Sequence, residues 1–158
     1  MANLKQIKRY LVSKKLPHKV FDLEACVYTV KGVVETGVEA DEIVKTLIIK
    51  TNEHFAALAI RGKDRLDFKK VRRLFGSKSE LAKPNEVLKV CEVGVGAVCP
   101  ILLGIPVYFD KRVMNLKNVN LGSGDLTCGL EMDLADLLKA VGKYQVEDLV
   151  KISTQIKL

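Results

Sequence analysis

The chain has 158 residues, 48% of them hydrophobic, and a formal charge of +7. That length suits one domain, 1–158, burying roughly two-thirds of its unfolded surface. No apolar run approaches the ~20 residues of a membrane helix, and Met1-Ala2-Asn3-Leu4-Lys5-Gln6 lacks the apolar core of a secretory signal, so a soluble, cytoplasmic protein with no membrane partner is expected.

The cysteines Cys26, Cys91, Cys99 and Cys128 form no C-x-x-C pair, and His18 and His54 are far apart in sequence. That spacing argues against a zinc site. Free thiols packed as small hydrophobes are expected in a reducing compartment.

In chain order, Leu4, Ile7, Leu11 and Val12 recur at helical spacing and predict a surface helix over 3–14, ended by Pro17. Lys19–Leu23 reads as a short strand. Residues 28–36 read as a helix with Gly37 as its cap, and 40–42 as a turn or a short helical start. Ile43–Lys50 is β-branched and apolar, hence a strand, and Asn52-Glu53 turns it into a second strand, His54–Arg61. Lys45 inside so apolar a run either snorkels to an edge or points into a pocket. His54 is either a general base or a structural histidine of its strand.

Charge is concentrated next. Arg61, Lys63, Arg65, Lys69, Lys70, Arg72, Arg73 and Lys78 face only Asp64 and Asp67, so this window carries a net +6 of the chain's +7. Such a stripe is either the footprint of a polyanion or a solvated helix face. Asp67 is a good N-cap for a helix Phe68–Phe75, and Gly76 a good C-cap. A second short helix is predicted over Ser79–Ala82, stopped by Pro84, and Glu86–Val90 is a helix or a strand. It leads into Gly94-Val95-Gly96-Ala97-Val98-Cys99-Pro100. This stretch is either a tight turn between buried strands or a loop that offers backbone groups to a small polar ligand. Cys99 within it is either a nucleophile or a buried thiol.

Beyond it, Ile105–Phe109 reads as a strand, 110–112 as a turn, and Val113–Leu116 and Val119–Leu121 as short strands. Gly122-Ser123-Gly124-Asp125 is a second flexible loop. Cys128–Met132 reads as a strand, Leu134–Val141 as a helix between Asp133 and Gly142, and the tail 143–158 as a strand with a short helix. Strands in clusters with helices between them predict an α+β class with a mixed sheet. No G-x-S-x-G elbow, Walker A loop or evident Ser/His/Asp set is present.

Four segments in order resemble the YbaK/prolyl-tRNA-synthetase-associated domain family. Ile43-Val44-Lys45-Thr46-Leu47 resembles its lysine-bearing strand, and Arg65-Leu66-Asp67-Phe68-Lys69-Lys70 its LDxKK helix start. Gly96-Ala97-Val98-Cys99-Pro100 resembles its G-x-x-x-P loop. Gly122-Ser123-Gly124, then Gly129-Leu130-Glu131-Met132 and Asp136-Leu137, resemble its glycine loop, strand and last helix. The resemblance covers roughly residues 20–142 and departs at Cys99, where relatives commonly carry another small residue.

The resemblance implies a largely antiparallel, barrel-like mixed sheet with flanking helices. It also implies trans-editing, the hydrolysis of the ester of mischarged aminoacyl-tRNA, without cofactor or metal. Lys45 would position the substrate's 3′ end and the backbone of Gly96, Ala97 and Pro100 would orient the ester. His54, Val98, Cys99, Gly122, Ser123 and Gly124 would border the pocket. A neighbouring ribose hydroxyl would help activate water, so no protein nucleophile is required. Arg61, Lys63, Arg65, Lys69, Lys70, Arg72 and Arg73 would hold the acceptor end through phosphates. Aminoacyl-tRNA is the expected partner, with a synthetase as a second one and no DNA. The rival reading is a non-catalytic RNA- or synthetase-binding module using the basic surface 61–78.

Overall fold

Two sheets share the strands of the computed structural model, which describes residues 3–23, 29–52, 54–76 and 78–152. The small sheet has the order β1 (Lys19–Asp22), β7 (Cys128–Asp133), β6 (Asn118–Gly122), all antiparallel. The large sheet has the order β4 (Glu80–Leu81), β2 (Val44–Lys50), β3 (Phe55–Arg61), β5 (Val107–Asp110), β8 (Gln145–Glu147). Within it β2 is antiparallel to β3 and β4, whereas β5 is parallel to β3 and β8. A parallel bridge between Ile43 and Asn120 links the sheets. The fold is α+β and mixed, as expected, but the sheets do not close on each other, so the barrel-like form is not found among the described residues.

The strand β3 is central because it can be buried on both faces. Ala56 to Ile60 are all fully buried, the near-continuous apolar run that such a strand needs. Pleat alternation sends Ala57 and Ala59, with Val44 and Ile48 of β2, into one core. There they meet Ile7 and Leu11 of α1 (Leu4–Ser13) and Leu137 of α5 (Leu134–Val141). Leu58, Ile60 and Ile49 face a second core under Val71 of α3 (Phe68–Phe75). The helix α3 begins on the Asp67 side chain and ends on Gly76 in the left-handed region (φ 65°), as the sequence predicts.

Three local expectations are corrected. Ser79–Ala82 is not helical. It forms β4, and the Ala82 N–H donates to the Ile48 carbonyl (2.9 Å). Pro84 starts a helix instead of stopping one, opening α4 (Pro84–Cys91), where its missing N–H costs nothing. Val113–Leu116 is not a strand either, because the Asp110 carboxylate caps a 3-10 helix, Lys111–Asn115, by accepting the Arg112 N–H (3.0 Å). The second helix of the sheet edge, α2, spans Val30–Glu35. The tail contributes β8 and no helix among the described residues; the expectations for Tyr28, Glu53 and 153–158 fall outside those residues.

An acid–base cluster ties α3 to the tail. The fully buried Asp110 accepts the Leu149 N–H (2.8 Å). Asp148 receives Lys70 and Arg112, each at 2.9 Å. Burial pushes the Asp148 carboxyl up, but the hydrogen bonds and charges of Lys70 and Arg112 outweigh it and hold that carboxyl at about 2. A carboxyl depressed in the folded state adds stability above its unfolded value, and that stability is lost as pH falls through the folded one. Urea midpoints should therefore hold near neutrality and fall between about pH 4 and pH 2. The fall should be smaller in Asp148→Asn. An equal fall in the variant would assign it to other carboxylates.

Candidate active site

One edge of β2 is left open in the middle. The strand β3 pairs with all of β2, but β4 covers only Ile49 and Lys50 on the other side. Backbone groups of a paired strand alternate between its two edges. The Ile43 carbonyl accepts the Gly62 N–H on the β3 side (2.7 Å), and the Ile48 carbonyl faces β4. The same alternation aims the N–H and C=O of Thr46 away from β3, into the space beside the open edge. Phe21 and Leu23, Val30 and Val33 of α2, Val95, Gly96, Val98 and Leu126 close around that space. They leave a pocket of about 310 Å³.

Two charged side chains, Lys45 and Asp125, line this pocket among the described residues. Lys45 is half-buried on β2. Burial pushes its ammonium below the ordinary lysine value, nearby Asp64 works against this, and Arg65 adds to it. Asp125 accepts both the N–H (2.8 Å) and the hydroxyl (2.6 Å) of Thr127 on Oδ1. The hydroxyl bond first, then the backbone bond, hold its carboxyl below the usual range. Thr46 adds a polar group of another kind, since its Oγ1 is buried and has no hydrogen-bond partner among the described residues. Leaving a buried hydroxyl unpaired costs about 1–3 kcal/mol, which a ligand in the pocket can recover.

The two glycine loops form one wall by backbone contact. The Gly124 N–H donates to the Ala97 carbonyl (2.8 Å). A Cβ on Gly122 would lie 2.5 Å from the Val98 oxygen and 2.9 Å from the Ala97 carbonyl carbon. Only glycine permits that approach. The buried Ser123 hydroxyl donates to the Cys128 carbonyl (2.7 Å) and so fixes the second loop.

Of the expected site residues, Lys45, Gly96, Val98 and Gly122 line the pocket. Ala97, Ser123 and Gly124 pack behind that wall. Pro100 lines a separate groove with Leu102 and Tyr144. Cys99 sits in the core, where burial pushes its thiol up to about 12. It does not line the pocket and is not a thiolate near neutrality. His54 does not line it either. It lies at the β2–β3 turn, against the Thr51 hydroxyl (3.2 Å) and the Phe75 ring (6.2 Å).

The basic window divides in two. Arg61 pairs with Asp64 (2.7 Å), Lys63 with Asp41 (3.7 Å) and Lys70 with Asp148 (2.9 Å). Arg65, Lys69, Arg72, Arg73 and Lys78 are exposed. Sequence reasoning passed over Thr46 and Asp125. A threonine directly after Lys45 in an apolar strand was the available signal for the first. Nothing local marks Asp125 apart from any loop aspartate.

The fold that carries this site is shared with solved structures. A proposed trans-editing enzyme for prolyl-tRNA synthetase superposes with a TM-score of 0.81 at 27% identity, over 94% of this chain and 97% of that one. The hypothetical protein APE2540 superposes with a TM-score of 0.81 at 28% identity, over 92% and 99%. The fold is thus that of the editing-domain neighbours, and the sequence agrees. Residues 24–140 match the aminoacyl-tRNA editing domain, and the chain belongs to that family. The protein YwhH of Bacillus subtilis is 27% identical over 139 residues, 85% of this chain and 88% of its own. The proline–tRNA ligase of Caldicellulosiruptor bescii is 35% identical over 88 residues, 55% of this chain but only 15% of that synthetase. The chain therefore spans a small part of the ligases it matches.

The wall geometry carries its own test. Gly122→Ala should lower stability by about 2 kcal/mol, because its Cβ meets backbone that cannot rotate away. Denaturation with urea reads this directly, and an unchanged midpoint would show that the two loops are not in contact.

Proposed function

We propose that the chain hydrolyses the ester bond of mischarged aminoacyl-tRNA, acting in trans on tRNA released by a synthetase. The observation that carries this is the pairing of Lys45 and Asp125 on one apolar pocket in a member of the editing family. A substrate anionic at its nucleotide end and cationic at its α-ammonium suits that pair of charges. The relatives that are proline–tRNA ligases support a synthetase as the second partner.

In this reading Lys45 holds a phosphate or hydroxyl of the terminal nucleotide. The Asp125 oxygen not used by Thr127 holds the α-ammonium. The Gly96–Pro100 loop orients the ester carbonyl through its backbone, with Ala97 fixed from behind by Gly124 and with Pro100 stiffening the exit. Val98 and Gly122 bound the aminoacyl side chain, while Cys99, Ser123 and Gly124 support them from behind. Water adds to the carbonyl carbon, the bond to the ribose oxygen breaks, and that oxygen takes a proton. The amino acid and the tRNA hydroxyl are the products. An aminoacyl ester is already activated, so placing water and polarising a carbonyl suffice. The neighbouring ribose hydroxyl assists the water. Among the basic residues, exposed Arg65, Lys69, Arg72 and Arg73 hold acceptor-end phosphates, while Arg61, Lys63 and Lys70 chiefly brace the surface that presents them.

The deciding experiment is a deacylation panel with tRNAs charged with alanine, cysteine, proline, serine or threonine, mischarged pairs included, in EDTA. Release from one or two of these is expected. Release from none, with tight salt-sensitive tRNA binding, would identify a non-catalytic binding module instead. Lys45→Ala should lower kcat/KM by about 100-fold or more with its urea midpoint retained. Full activity would remove Lys45 from the mechanism. Because burial lowers the Lys45 ammonium, activity should decline with rising pH before the ordinary lysine value is reached, and Lys45→Arg should shift that decline upward.

Thr46→Val separates stability from function. It should raise stability by about 1 kcal/mol, since an unpaired buried hydroxyl is replaced by an isosteric methyl. It should lower kcat/KM if substrate pairs with that hydroxyl. A variant both less stable and fully active would show that Thr46 has a partner in the protein.

A further inference from the structure

A second basic surface stands at the rim of the same pocket. Residues 3–21 hold Lys5, Lys8, Arg9, Lys14, Lys15 and Lys19, with no Asp or Glu. The helix α1 turns Ile7 and Leu11 into the core. Lys5, Lys8, Arg9 and Val12 stand at i, i+3, i+4 and i+7, one stripe on the outer side. All of them are exposed, Val12 by 67%. None of the three cations forms an ion pair among the described residues, whereas Arg61, Lys63 and Lys70 are all paired. A groove of about 670 Å³ runs between this stripe and Gly124-Asp125. Asp125 also lines the pocket that holds Lys45. The groove therefore opens onto the pocket's rim.

We propose that α1 is a docking surface for the phosphodiester backbone of the RNA whose 3′ end enters the pocket. This rests on the reading of the pocket as an aminoacyl-ester site. A strand with its terminus in the pocket has to leave across the rim, and on this side it meets three cations at helical spacing that form no ion pair among the described residues. Contacts of that kind are independent of sequence and release counterions. Exposed Val12 offers the apolar surface on which a sugar can rest, and the Asp125 carboxylate keeps the phosphates on the helix side of the groove. The helix holds its shape without these side chains. Its cap is the reciprocal bond pair between Asn3 and Gln6 (2.9 and 3.0 Å), and its packing comes from Ile7 and Leu11.

The test uses the full chain with Lys5, Lys8 and Arg9 all changed to Gln. The control changes Lys89, Lys117 and Lys139 to Gln, which removes the same charge from exposed positions elsewhere. Binding of uncharged tRNA is measured against salt, and hydrolysis is measured on aminoacyl-tRNA and on an aminoacyl-adenosine that has no backbone to bind. In the α1 variant, tRNA affinity should fall about tenfold near 0.1 M salt, and the slope of log K against log salt should flatten by about 2. Its KM for aminoacyl-tRNA should rise in step, while its rate on aminoacyl-adenosine stays with that of the parent. The control should match the parent in tRNA binding. Equal losses in both triple variants would mean that only net charge matters and would overturn the proposal, as would unchanged tRNA affinity in the α1 variant. If the parent hydrolyses neither substrate, the catalytic reading fails, but the binding arm still decides whether α1 holds RNA.

Discussion

The demand of backbone amides for partners shapes this molecule around β2. A buried strand has to satisfy both of its edges, and β2 does so unevenly. The strand β3 serves one edge along its whole length, β4 serves the end of the other, and the bridge from Ile43 to Asn120 serves its beginning. Among the described residues the middle of that edge has no strand beside it, and α2, β1 and the Gly94–Pro100 stretch enclose the gap instead. Lys45 and Thr46 fall there on opposite faces of a strand clamped at both ends. Groups on such a strand are placed more precisely than groups on a loop, so the polar side of the pocket is rigid before any ligand arrives.

The same geometry explains why the thiol beside the glycine loop does not line the pocket. Gly122 and Gly124 bring one loop onto the backbone of the other at Ala97 and Val98. Behind that contact Cys99 belongs to the buried core cluster that also holds Leu103 and Val107. With its thiol pushed up to about 12, it fills volume. The two loops of the wall are held together by backbone contact, without a titratable group.

Much of the fold was legible because its signals are local. Asp67 and Gly76 bracket α3, Asp133 and Gly142 bracket α5, and the β-branched run ending at Lys50 reads as a strand without knowledge of its neighbours. What failed depends on partners distant in sequence. Ser79–Ala82 is a strand only because β2 offers an edge at Ile48 and Lys50, and Pro84 can open α4 only once that strand has ended. Lys45 could be assigned to neither an edge nor a pocket until the short reach of β4 was known. The basic window misleads for a related reason. Counting charges from Arg61 to Lys78 cannot see that Lys70 is bound to Asp148, which is 78 residues away. The charge of α1 has no acid within residues 3–21 to offset it, and Asp125 across the groove makes no ion pair with it among the described residues.

Under the proposed reading, selectivity follows from the contrast between the two sides of the pocket. The helix α2 buries none of its six residues fully, so Val30 and Val33 form a wall held by few contacts. A wall of that kind adjusts to a substrate, and even a firm apolar wall discriminates a methylene by only about 1–3 kcal/mol. The β2 side behaves differently. A site that presents a hydroxyl to be hydrogen-bonded rejects an analogue that leaves it unpaired far more steeply than an apolar wall rejects added bulk. Thr46 is such a group, held on a strand that cannot shift to find another partner. Under the proposed reading, discrimination among aminoacyl groups of similar size would be governed by how each one places an acceptor or donor at Thr46, with the apolar wall setting the upper limit of size.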